Sequence, residues 1–172
     1  MPVIFPAVES RRLEDTSPGD LVKVGYGSKT GLAFVAGTSG GDERHLVMLE
    51  DMGETRDIRL ATALLRGCAE ERVLWLGTSY RIDLDVSLDR VHSGWFRNAE
   101  MPGVVSVKGS EVLLRVGQEL GSGRFRGGWY NFQSGLLSQL QAHEAYYVSA
   151  WSLGLEVLAG SPPKTLLRFA VD

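Results

Sequence analysis

The chain has 172 residues, enough for one large domain or two small ones with a real core. Its 18 basic and 21 acidic residues leave a net charge of -3, so no global electrostatic attraction to nucleic acid is available. The single cysteine, Cys68, excludes an intramolecular disulfide and points to a reducing compartment.

The 21 glycines exceed the roughly 7% of ordinary usage. Glycine is costly inside helices and useful in turns, so the excess favours many short strands. The N-terminus Met1-Pro2-Val3-Ile4-Phe5-Pro6 has no basic region ahead of its apolar residues, and Arg11 and Arg12 follow them. That order is wrong for a signal peptide. No apolar run approaches the roughly 20 residues that cross a bilayer. A soluble, cytoplasmic protein is expected.

In chain order, residues 1–17 read as a lead-in that packs as an edge strand. Ser17-Pro18-Gly19-Asp20 is a turn, and Leu21 to Val24 a strand. Gly25 to Gly31 reads as a loop, Leu32 to Ala36 as a second strand, Gly37 to Asp42 as a turn and His45 to Glu50 as a third strand. Asp57 to Leu60 reads as a fourth. Short strands with Gly-rich connections predict a small SH3-like or similar barrel over residues 1–60.

Residues 61–72 break the β pattern. Ala61 to Arg66 favours a linker or short helix that Gly67 would end. Residues 73–172 read as a second antiparallel β region, and the two parts are expected to pack as one unit. Val73 to Leu76 is a strand. Tyr80 to Asp89 alternates strictly, with apolar side chains at even positions and polar ones at odd positions. A period of two predicts a strand with one wet face, bent from its predecessor at Gly77.

Residues 90–102 are loop-like. Val104 to Val107 and Glu111 to Val116 flank Lys108-Gly109-Ser110, a hairpin with a two-residue turn. Phe132, Leu136, Leu137 and Leu140 share one helical face, which predicts a short helix near 133–143. Tyr146 to Ala159 and Thr165 to Val171 read as two strands that pair as a hairpin. The fold class expected is mainly β, with one short helix.

Catalytic punctuation is sparse. Gly25-Tyr26-Gly27-Ser28-Lys29-Thr30-Gly31 superficially suggests a phosphate loop, but Ser28 precedes the lysine and the sequel Leu32-Ala33-Phe34-Val35 is strand-like. A phosphate loop needs a following helix, so this is a hairpin loop. Cys68 has no catalytic signature around it, and Glu70 and Glu71 oppose a thiolate. His45, His92 and His143 lack metal-ligand spacing. Ser79, Ser93 and Ser134 lie outside any nucleophile elbow. Asp83, Asp85 and Asp89 share one strand face. They read first as a solvated face with Arg81, and second as the carboxylates of a metal-assisted hydrolase built on Asp83 and Asp85.

The richest local candidate for binding is Gly121 to Phe132, with Arg124, Arg126, Trp129 and Tyr130. Arginine supplies planar donors, aromatics supply stacking faces, and glycines let a ligand approach the backbone. The plainer reading is a turn followed by aromatics entering the core. A second set, with Trp95 and Arg97, lies in another loop. Together they predict a non-catalytic binding or assembly module that recognises a protein surface or peptide, with no cofactor. The alternatives are the Asp83/Asp85 hydrolase and a single-stranded nucleic-acid-binding domain.

Overall fold

The computed structural model describes residues 9–26, 29–49, 59–61, 72–93, 99, 101–117, 128–138, 145–156 and 161–170. The first strands are β1 (Glu9–Arg12), β2 (Leu21–Tyr26), β3 (Lys29–Thr38), β4 (His45–Met48) and β5 (Arg59–Ala61). Next come β6 (Arg72–Gly77), β7 (Tyr80–Leu84), β8 (Val91–Ser93), β9 (Val105–Lys108) and β10 (Glu111–Val116). The last are β11 (Gly128–Asn131), β12 (Leu136–Ser138), β13 (Tyr146–Val148), β14 (Ala150–Leu155) and β15 (Lys164–Ala170). A 3-10 turn at Leu13–Asp15 follows β1. The protein is mainly β, as its glycine-rich composition predicts.

Among the described residues there are two sheets. The larger runs β1-β6-β2-β3-β12-β11-β10-β9-β13-β8, with β4 on β3 and β5 on β4. The smaller has the order β15-β14-β7. Strands from either side of residues 61–72 share the larger sheet. β6 pairs with β1 and β2, and β12 runs parallel to β3 at Leu136↔Gly37 and Leu137↔Thr38. The linker helix expected at 61–72 falls almost wholly outside the described residues.

The run Leu32-Ala33-Phe34-Val35-Ala36 is buried throughout, because β3 has apolar neighbours on both faces. Leu32 and Phe34 point into the main core with Leu21, Leu114, Tyr130, Trp151, Leu153 and Phe169. Ala33 and Val35 point the other way, into a smaller cluster with Leu13, Val22, Leu46 and Val73. The main core is threaded by rings. Phe34 stacks on Tyr130 at 5.2 Å, meets Phe132 edge-on at 5.6 Å, and lies 5.1 Å from Tyr80. Phe132 then meets Trp151 at 6.4 Å, and Trp151 stacks on Phe169 at 5.7 Å. The Trp151 indole N–H donates to the Gly103 carbonyl at 2.7 Å, so its polar edge is satisfied inside the core.

Two hairpins form as the sequence predicts. Glu111 pairs with Lys108 across Gly109-Ser110, and Gly109 adopts φ +58°, the conformation a primed two-residue turn requires. β14 and β15 pair from Ala150↔Ala170 to Leu155↔Lys164. β2 and β3 form an antiparallel hairpin whose pairs Gly25↔Thr30 and Tyr26↔Lys29 carry the strands into the stretch read as a loop from Gly25 to Gly31.

Two elements differ from expectation. Residues 133–138 are a turn followed by strand β12, in place of the start of a helix at 133–143. The Asn131 side-chain oxygen accepts from the backbone N–H of Gln133 and Ser134, a local bond that competes with helix formation. The alternating strand ends at Leu84 and does not run to Asp89. Asp85 turns its carboxylate onto the backbone N–H of Ser87 at 3.1 Å and onto the Ser87 hydroxyl at 2.6 Å. That turn takes the chain away from the sheet.

Candidate binding site

The sequence-predicted binding residues separate into two groups. Trp129 is 3% exposed and Tyr130 is fully buried in β11. Neither side chain reaches a surface partner, which corrects the expectation for both. Leu137 pairs opposite Tyr130, and Phe34 stacks on it, so core packing claims the ring. The Arg115 guanidinium sits 5.3 Å from the Trp129 ring centre, a cation–π contact. Arg124, Arg126, Trp95 and Arg97 lie outside the described residues, as do Cys68 and His143. His45 is buried in β4, and His92 lies in β8 with its Nε2 3.3 Å from the Ser149 hydroxyl.

The structure instead draws attention to the small sheet and the turn after it. Inward side chains of that sheet, Ile82, Leu84, Trp151, Leu153, Leu167 and Phe169, pack on the main core. Alternation therefore turns Asp83, Ser152 and Arg168 outward. The register places these three in one row across the sheet, because Asp83 pairs with Ser152 and Ser152 with Arg168. An open cleft of about 440 Å³ lies here, lined by Asp83, Asp85, Arg90, Ser152 and Arg168, with Ala150 and Ala170 beside them.

Beside the cleft, which Asp85 and Arg90 line, the turn after β7 holds two apolar side chains in water. Val86 is 73% exposed and Leu88 is 98% exposed. The turn is held by hydrogen bonds. Asp85 donates its N–H to the Ala150 carbonyl at 2.9 Å, and the N–H groups of Arg90 and Val91 both donate to the Ser87 carbonyl. The N–H of Ser149 closes onto Arg90. Ser87 bonding holds the Asp85 carboxyl below its ordinary range, so it stays ionised. Sequence alternation alone assigned Val86 and Leu88 to a core face. The signal that could have moved them outward is Asp85 two residues before Ser87, a pairing that makes a side-chain turn.

Asp83 and Asp85 both line the cleft, but each has a local partner. Asp83 accepts from the Arg81 guanidinium, and Asp85 from Ser87. Among the described residues, no group of three or more His, Cys, Asp or Glu is placed to hold a metal ion. No described helix is long and apolar enough to cross a membrane.

Burial raises the Tyr80 and Tyr130 hydroxyls above the ordinary tyrosine range, and the Asp20 carboxylate nearby adds to it. Tyr80 donates to the Gly19 carbonyl at 2.9 Å, and the buried Tyr130 hydroxyl lies against the Tyr80 hydroxyl, which further favours its protonated form. A raised folded-state value means that the folded chain keeps its protons where the unfolded chain loses them. The associated stability is intact below about pH 10 and falls as pH rises beyond it. Tyr130→Phe is therefore expected to change the melting temperature little at pH 7, since the lost contact with the Tyr80 hydroxyl is offset by the desolvation that the buried hydroxyl no longer costs. It should melt above the parent at about pH 11, where the parent has begun to lose stability. Thermal scans at both pH values check this, and equal losses at high pH would refute it.

No family model matches the chain, and neither a curated protein nor a solved structure is similar to it.

Proposed function

We propose that the chain is a non-catalytic binding or assembly module that recognises a protein surface or a peptide. The observation that carries this reading is the hydrogen-bonded turn that holds Val86 and Leu88 in water beside an open, charged cleft. Large apolar side chains held outward on a rigid scaffold are suited to act as anchors, because little further ordering is needed when they bind. Arg124, Arg126, Trp95 and Arg97 belong to the same reading as arginine and aromatic loop contacts. Trp129 and Tyr130 serve it only as scaffold. Within this reading the strands of residues 1–60 are of the SH3-like kind, a format that commonly presents loops for binding. The lone Cys68 fits work in a reducing compartment such as the cytoplasm.

The test is photo-cross-linking in the source cells from position 89, an exposed site next to the two apolar side chains. A specific cross-linked protein is expected, lost in the double variant Val86→Asp, Leu88→Asp, and weakened in Arg124→Ala, Arg126→Ala. Both positions of the first variant are exposed, so its stability should stay within about 0.5 kcal/mol of the parent. A cross-link that survives Val86→Asp, Leu88→Asp would overturn the assignment of the turn.

A further inference from the structure

We infer that the surface recognised by the small sheet is that of a second copy of this chain, with a twofold axis running along β14. The inference rests on the binding-module reading and names its partner. It begins from register. Asp83 and Arg168 stand on either side of Ser152 at one level of the sheet. Neighbouring strands are about 4.8 Å apart, so acid and base are equal steps from the centre.

A twofold axis parallel to β14, placed above Ser152, exchanges the two sides. Each Asp83 then faces Arg168 of the other copy, twice per dimer. An axis across the strands would set Asp83 on Asp83 and Arg168 on Arg168, which like charges disfavour. The face is thus complementary to itself in one orientation only, as an isologous contact requires.

The remaining residues agree. Facing sheets pack about 10 Å apart, a gap that an arginine and an aspartate bridge together. The centre of the face is built from the short side chains Ala150 and Ser152, which allow that approach. Asp83 already accepts from Arg81, but a carboxylate has about four acceptor sites and accommodates a second guanidinium. Val86 directly follows Asp85, whose N–H bonds Ala150, so the apolar turn lies at the level of Ala150 and Ala170. The same axis carries it to the β15 side of the other copy, against the exposed Ala170 at the edge of the cleft. Three short strands bury less than the roughly 800 Å² per partner of a standard interface, so the dimer should be weak and weakened further by salt.

Sedimentation velocity over roughly a hundredfold range of concentration tests this by mass action. The parent should shift from monomer towards dimer as concentration rises. Asp83→Arg alone and Arg168→Asp alone should each remain monomeric, because like charges then meet. An equimolar mixture of the two should dimerise again, since every contact regains opposite charges, and so should the variant carrying both changes. A parent that stays monomeric throughout, single variants that still dimerise, or a mixture that stays monomeric would each overturn the inference. If the parent is monomeric while the position-89 cross-link still depends on Val86 and Leu88, the second-copy inference fails and the binding-module reading stands. If both fail, the reading fails with it.

Discussion

Gly135→Ala is expected to lower the melting temperature by on the order of 10 °C. The residue has φ +69°, a left-handed conformation that costs a side-chain-bearing residue about 1–2 kcal/mol. A Cβ there would also fall inside the backbone of Pro18 and Gly19, which has no flexible end to swing aside. Overpacking of this sort adds about 1–3 kcal/mol. The position is pinned on both sides, its N–H donating to Asn131 at 2.8 Å and its carbonyl accepting from Gly37 at 3.0 Å. The chain therefore cannot relax without loosening the β3–β12 junction. For a domain of this size, 1 kcal/mol moves the midpoint by about 2–4 °C. Thermal scans by circular dichroism decide the matter, and a shift under about 2 °C would mean that the turn adapts freely.

Phe34→Ala should be the most damaging substitution of a single core side chain. Phe34 is fully buried at the centre of β3, touching the rings of Tyr80, Tyr130 and Phe132. Removing such a ring costs about 3–5 kcal/mol, from lost transfer energy and from the cavity left behind. Native domains are stable by only about 5–15 kcal/mol, so a large share of the total is at stake. The loss should exceed that of Phe34→Leu, which refills part of the space. Urea titration of both variants measures it. Equal midpoints for Phe34→Ala and the parent would show that the aromatic cluster does not carry the core as described.

What the sequence made legible was local. Gly109-Ser110 between two apolar runs is enough to place a hairpin, because the turn type follows from residues that adopt it cheaply. The apolar run at 32–36 likewise announces a buried strand. The period of Tyr80 to Asp89 is just as regular, yet only its first half is strand, since the Asp85 carboxylate captures Ser87 and periodicity carries no record of that bond. The helical spacing that starts at Phe132 is overridden over residues 133–138 for a similar reason, at Asn131 and Gly135. Trp129 and Tyr130 show the other limit. An arginine-rich stretch with aromatics has one composition whether its rings bind a ligand or fill a core. Here a strand about 95 residues earlier in the chain, carrying Phe34, decides the outcome for Tyr130. The cleft was beyond reach because it depends on the register between β7, β14 and β15.

The parallel contact of Gly37 and Thr38 with Leu136 and Leu137 also bears on how the chain comes into being. Its partners are ~100 residues apart, a closure whose entropy cost grows only slowly with length but which delays folding. During synthesis the apolar β2–β3 hairpin leaves the ribosome well before β11, β12 and β14 exist to cover Phe34 and Leu21. A nascent chain at that stage exposes a hydrophobic sheet face and invites chaperone capture or aggregation. Expression at lower temperature or with added chaperones should accordingly raise the yield of properly folded protein more than any change at its surface.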